Sequence, residues 1–240
     1  MTLRSDRPRR LARGVTRGWI ALSAVAIAII APLPYFVLSL EEMASNGTIA
    51  ANYVDRPHLV QVAFHLHITF GGLALLLSPI QLSSRIRARV PRLHRWAGRI
   101  TIGAILVAGP AGAVLATTNV AGAIGVVGFG LLAVVWTGCA VAARAAARRR
   151  DFVTHRRWAI RTFALTYAAV TLRLWLAVLI PAQVAAGVDE TLAFDRAYPL
   201  MPFLAWVPNL LLAEWYLRRR PGPGGRSRTL RPSGAVERPR

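Results

Sequence analysis

The sequence predicts an all-α integral membrane protein, a helical bundle of about six transmembrane helices with a four-helix core. Three observations predict it. Six runs are long and apolar enough to cross a bilayer, since about twenty helical residues span the hydrocarbon core. Arginines gather at every second junction between those runs, and tryptophans stand at the same junctions. A net charge of +20 beside 55% hydrophobic residues and a mean hydropathy of +0.43 does not suit a nucleic-acid-binding domain, which is basic but seldom so apolar. No nucleic-acid partner is expected.

The chain divides into a basic cytoplasmic segment 1–17, a transmembrane helical domain 18–217 and a basic tail 218–240. Arg4, Arg7, Arg9, Arg10, Arg13 and Arg17 precede the first apolar run, 18–40. That run is longer than a signal-peptide core and no clear small-residue cleavage site follows it, so it reads as a retained anchor. The segment 41–57 is acidic, and its Asn46-Gly47-Thr48 matches a glycosylation acceptor too short to carry weight. The second run, 58–82, holds Pro79 near its end and leads into Arg85, Arg87, Arg89, Arg92 and Arg95. Runs three and four, 97–117 and 121–143, leave only 118–120 for a tight helical hairpin, and Arg148, Arg149 and Arg150 follow them. Run five covers 158–181, and Asp189, Glu190 and Asp195 lie in the connection after it. Run six, 198–217, should bend at Pro202 and Pro208, and Arg218, Arg219 and Arg220 open a Pro/Gly/Arg-rich tail expected to be disordered.

Loops rich in arginine stay in the cytoplasm, so all four basic segments fall on one side and both termini are cytoplasmic, in the inner cell membrane. Trp19, Trp96, Trp158 and Trp215 fall at those same ends, where an indole prefers the headgroup level. The inner face should therefore attract anionic lipid headgroups of the bilayer, by roughly 1 kcal/mol for each basic residue near the surface. Every basic residue of this kind is an arginine, which cannot deprotonate and grips carboxylate or phosphate with two parallel bonds. The single cysteine, Cys139, lies inside an apolar run, which excludes an intrachain disulfide and any cysteine-based metal motif. Leu93-His94-Arg95-Trp96-Ala97-Gly98-Arg99 and Thr154-His155-Arg156-Arg157-Trp158-Ala159-Ile160-Arg161 resemble one another, which suggests two related hairpins forming the core from runs two to five.

Ionisable groups inside a bilayer are costly and usually face the bundle interior, so the few present here are the best functional pointers. His65 and His67 lie roughly 10 and 13 Å below the outer surface and Arg173 about 12 Å below it, at one level. Helical angles put His58 and His65 on a stripe with Gln61, Thr69 and Gly72, while His67 points almost oppositely, as an interhelical hydrogen-bond partner would. His155, Thr162, Thr166 and Arg173 align along run five, and His94, Gly98 and Thr101 along run three. Packed together, these stripes would line a polar interior around His65, Arg173, His94 and His155. Arg173 has no membrane-embedded carboxylate at its depth, because Glu214 lies near the inner face; a bound anion, a cofactor carboxylate or main-chain carbonyls are its candidate partners. His94 and His155 could instead meet lipid phosphates at the surface.

The ordered set His65-Leu66-His67-Ile68-Thr69-Phe70-Gly71-Gly72, Ser78-Pro79-Ile80-Gln81, His94-Arg95-Trp96-Ala97-Gly98-Arg99, His155 to Arg161 and Thr171-Leu172-Arg173 resembles a bacterial family of predicted membrane proteins known as domain of unknown function 2306. The resemblance covers roughly 58–173 and implies fold and location, since that family has no assigned activity. More remotely, the histidine placement is similar to the b-type membrane cytochromes with a four-helix haem core. Two functions follow as expectations. One is electron transfer through haem b, ligated by His94 and His155 at a shared inner level, with Arg173 or the inner arginines on the propionates. The other is a transporter or sensor binding a small anionic or quinone-like ligand, with Arg173 supplying charge and His65 exchanging protons. Neither HExxH nor a carboxylate cluster is present to indicate a metal-dependent hydrolase.

Overall fold

Six helical spans alternate in direction through a computed structural model that describes residues 7–45 and 52–219. Residues 1–6, the Asn46-Gly47-Thr48 tripeptide and the tail beyond Arg219 lie outside the described residues. The first span is built from α1 (Arg7–Ile30) and the short α2 (Pro34–Val37), and α3 (Leu40–Ser45) follows. The second span is α4 (His58–Leu82), after which Ser83 starts the six-residue α5 (Ser84–Arg89) by accepting the Ile86 N–H at 3.2 Å. The third is α6 (Pro91–Thr117), which begins six residues before the apolar run because Pro91 at its start has no N–H to leave unpaired. The fourth is α7 (Gly122–Arg148). Asp151 then caps the next helix through the Thr154 N–H at 3.0 Å.

Spans five and six are not continuous helices. The fifth divides at Tyr167 into α8 (Phe152–Thr166) and α9 (Ala168–Ala185). The sixth consists of α10 (Glu190–Ala197), a 3-10 turn at Tyr198–Leu200, α11 (Met201–Leu204) and α12 (Val207–Arg219). Prolines 199, 202 and 208 explain the second case, since each lacks an N–H and crowds the preceding turn. No proline stands at the first break. Threonine hydroxyls turn back there onto carbonyls four residues earlier, Thr162 onto Trp158 at 2.9 Å, Thr166 onto Thr162 at 2.8 Å and Thr171 onto Tyr167 at 3.3 Å, a bonding pattern that bends helices.

The core is the four-helix set α4, α6, α7 and α8, each packed along the next, with α1 lying on α4 and α12 on α8. This is the arrangement the sequence predicts, except that only the first half of span five joins the core. Lipid is as apolar as leucine, so close van der Waals contact between helices, rather than expulsion of water, holds such a bundle. Small residues make the contact possible. Ala74, Ala104, Ala108 and Ala140 are almost fully buried, and they surround Ile105, Trp136, Cys139 and Leu165. By contrast α9 makes only slight contact with α4, α6 and α7 and leans on α10 instead.

Candidate functional site

Where α9 parts from the core, a cavity of about 280 Å³ remains, just below the ~300–1,000 Å³ common for ligand pockets. Phe64, His67 and Gly71 of α4 and Gly112 of α6 form one wall, and Leu172 and Arg173 of α9 face them. Tyr35, Tyr53 and Tyr198 line it toward the end remote from the arginines. Among the described residues no aspartate or glutamate lines it, and most of its surface is apolar.

His67 enters this space with a defined tautomer. Its Nδ1 lies 2.9 Å from the Ala108 carbonyl across the α4–α6 interface. A carbonyl only accepts, so Nδ1 carries the hydrogen and Nε2 presents a lone pair without a partner among the described residues. Gly112 makes room for the ring, because a Cβ at that position would stand 2.8 Å from His67 Nδ1. The interhelical bond expected for His67 is thus present, and the residue also lines the cavity.

Arg173 donates from Nη1 to the Ala169 carbonyl of its own helix at 2.9 Å and has no carboxylate partner among the described residues. It lines the cavity and is also exposed at the surface of the bundle, so the cavity opens there. Tyr53, in the connection before α4, has its phenol pushed up to about 12, first by burial and then by Tyr198 and Tyr35, which keeps it a proton donor. The Tyr198 hydroxyl accepts from Asn119 Nδ2 at 3.0 Å. At the far side, Trp136 Nε1 donates to Thr166 Oγ1 at 2.9 Å. The cavity therefore offers several N–H and O–H donors and one imidazole acceptor.

Asn209 of α12 braces the break that makes the cavity. At Tyr167 the α-helical ladder is interrupted, and the Val170 N–H reaches only three residues back, to the Tyr167 carbonyl at 3.0 Å. Asn209 Nδ2 donates to the Ala164 carbonyl at 3.2 Å and to Thr171 Oγ1 at 2.9 Å, bridging the two halves of span five. A carbonyl released from a helix in a membrane needs such a partner.

The four expected site residues do not share one site. His65 bonds through Nδ1 with the Gln61 carbonyl of its own helix at 2.9 Å, rests edge-on against Phe64, and does not line the cavity. His94 and His155 lie at the arginine-rich end on α6 and α8, close enough to interact electrostatically. His155 Nδ1 donates to the Ala143 carbonyl at 2.9 Å, whereas His94 Nδ1 is buried and unpartnered. The apolar core around Ile105, Trp136 and Leu165 separates this pair from the cavity. Ser78 and Thr101, like Thr162, satisfy themselves on their own helices, so no continuous polar interior forms. No cluster of three or more His, Cys, Asp or Glu able to hold a metal ion occurs among the described residues.

Sequence reasoning gives His67 an interhelical bond but no place in the site, and it offers nothing on the three tyrosines, Asn119 or Asn209. The one signal for His67 is the pairing of small residues around it, Gly71 one turn on and Gly112 across the interface, which is unreadable until α6 is known to lie there. A family model described as predicted membrane protein (DUF2306) matches residues 64–217, a stretch that includes His67, Gly112, Arg173 and Asn209. Comparison with curated proteins and with solved structures yields no match, and so none to a cytochrome. With more than half of the chain matched and six spans in place, the protein is a multi-pass membrane protein that belongs to the predicted membrane protein family DUF2306.

Proposed function

We propose that this protein is a membrane transporter or sensor that binds a small anionic or quinone-like molecule in the cavity between α9 and the core. The observation that carries the reading is a guanidinium and an imidazole nitrogen that line one cavity and have, among the described residues, neither a carboxylate nor a hydrogen-bond partner respectively, at the level where two spans are broken. Broken spans enclosing a site part-way through the bilayer are the usual construction of transporters. Arg173 supplies the charge, and His67 takes the proton-accepting part that the sequence suggested for His65. The protein sits in the inner cell membrane with both termini in the cytoplasm, its arginine-rich end against anionic headgroups.

Thermal unfolding of the protein in phosphatidylcholine nanodiscs, with a panel of organic carboxylates and a short-chain ubiquinone, tests this. A compound that stabilises the wild type but neither Arg173→Gln nor the cavity-filling Gly112→Ile supports the reading. Stabilisation that persists in both variants, or none from any compound, removes it.

A second reading rests on the buried, unpartnered Nδ1 of His94 and on His155 lying close enough to interact with it electrostatically. His155 suits haem iron, since its Nδ1 is held by a carbonyl and its Nε2 is left for the metal. His94 suits it less, lacking that orienting bond. Bound haem b would supply one-electron transfer. Absorption bands that appear in haem-replete protein and vanish in His155→Ala would favour this reading, and colourless protein after reconstitution would exclude it.

A further inference from the structure

We propose that the occupant of the cavity is a single-chain lipophilic carboxylic acid that enters sideways from the bilayer, its carboxyl group received by Arg173 and His67. This rests on the ligand-site reading and narrows it to one chemical class.

The opening is the first argument. Ser23 Oγ and Tyr167 Oη bond at 2.7 Å, and Ala24, Ala28 and Val170 pack beside them, so α1 and the start of α9 are closed at that level. One turn further along α9, Arg173 is exposed at the bundle surface while it also lines the cavity, with Leu174, Ala177 and Val178 exposed beside and beyond it. Leu33, Phe36 and Val37 are exposed on the first span. The guanidinium therefore stands at a side entrance flanked by lipid-facing apolar residues. A molecule reaching it from the hydrocarbon is apolar for most of its length.

The head group follows from the donors. Arg173 offers N–H groups in the planar fork that matches a carboxylate, and it lacks an acidic partner among the described residues. His67 Nε2 offers the complementary lone pair, which accepts the O–H of the protonated acid, the form that partitions into lipid. The bound acid thus donates its O–H to Nε2 while its other oxygen accepts from the Arg173 fork. A neutral quinone carbonyl can accept from Arg173 but brings no negative charge to it and no O–H for the His67 lone pair. Walls of Ile68, Leu75, Phe129, Leu132 and Leu172 suit an alkyl tail, while about 280 Å³ leaves no room for the two acyl chains of a phospholipid, each spanning half of a ~30 Å core.

The test is saturable binding of radiolabelled dodecanoate to the protein in phosphatidylcholine nanodiscs, corrected with empty nanodiscs. Competition uses dodecanol, succinate, phosphatidylglycerol and a short-chain ubiquinone. Dodecanoate binding that is displaced by none of these and weakened about 10- to 100-fold in Arg173→Gln, with unfolding temperature unchanged, is the expected result. Arg173→Lys should keep part of the affinity, since charge persists without the fork. Equal competition by dodecanol overturns the role of the acid, competition by succinate overturns the role of the tail, and competition by phosphatidylglycerol makes the site one for phospholipid. Ubiquinone bound with dodecanoate excluded overturns the ligand class and leaves the ligand-site reading standing. Failure of every probe, in protein whose unfolding is cooperative, overturns both.

Discussion

The two halves of the bundle are made from the same six spans but are held differently. At the arginine-rich end the helices are continuous and clamped: Arg161 of α8 meets Glu214 of α12 through two bonds, Nε to Oε1 at 2.5 Å and Nη2 to Oε2 at 2.9 Å. Arg161 also lies over Trp158 at 4.7 Å, and Arg156 donates to the Tyr216 hydroxyl at 3.1 Å. In the other half α9 leaves the core, no ion pair among the described residues holds Arg173, and a cavity remains. The comparison teaches that an arginine in a span takes its meaning from its partner. Arg161 has a carboxylate and fastens two spans; among the described residues Arg173 bonds only a carbonyl of its own helix, which is what the proposed ligand site rests on.

The clamp provides the strongest way to break this contrast. Glu214→Gln should lower stability by about 3 kcal/mol, because a half-buried guanidinium loses its counter-charge, while the pair Arg161→Met with Glu214→Leu should recover much of that loss. Thermal unfolding of the three variants decides it, and a Glu214→Gln protein as stable as wild type would show that the clamp carries no load. Asn209→Leu comes next, at about 2 kcal/mol, since the Ala164 carbonyl is left unpaired. Hydrogen exchange should quicken selectively in α9; if protection there is unchanged, the threonines alone hold the break.

Gly112→Ala should cost about 1–2 kcal/mol by pressing His67 off the Ala108 carbonyl. Ligand binding should change with it, whereas the spacing of the arginine-rich end should not, and altered reactivity of a label placed there would contradict the independence of the halves. The smallest effect belongs to Asp151→Ala at the start of α8. The Thr154 N–H holds the Asp151 carboxyl below its ordinary value. Its contribution is therefore fully present above that ordinary value and is lost as pH falls through the lowered one. The gap in unfolding temperature between wild type and Asp151→Ala should close on acidification; a widening gap would contradict the cap.

Much of the bundle is legible in sequence because the membrane imposes it. Hydrocarbon thickness sets the length of each apolar run, and backbone polar groups in lipid leave helix as the form for these spans, so 58–82 reads directly as α4. The repeated His-Arg openings of runs three and five likewise pointed to the four-helix core. Arg173 stood out for the same kind of reason, being a charge at a depth where no carboxylate was available. Helical angle favours His65 over His67, but an angle says only which residues share a face of α4, not which face meets the cavity.

What the sequence alone determined, then, is the number of spans, the arginine-rich loops and the presence of an unbalanced cation among them. All three depend on one helix at a time. The tertiary structure decided that Glu214 answers Arg161, that Asn209 sustains a break with no proline, and that His67 rather than His65 borders open space. Those outcomes depend on which side chain of another helix lies within about 3 Å, the reach of a hydrogen bond, and that distance is fixed only when the helices pack.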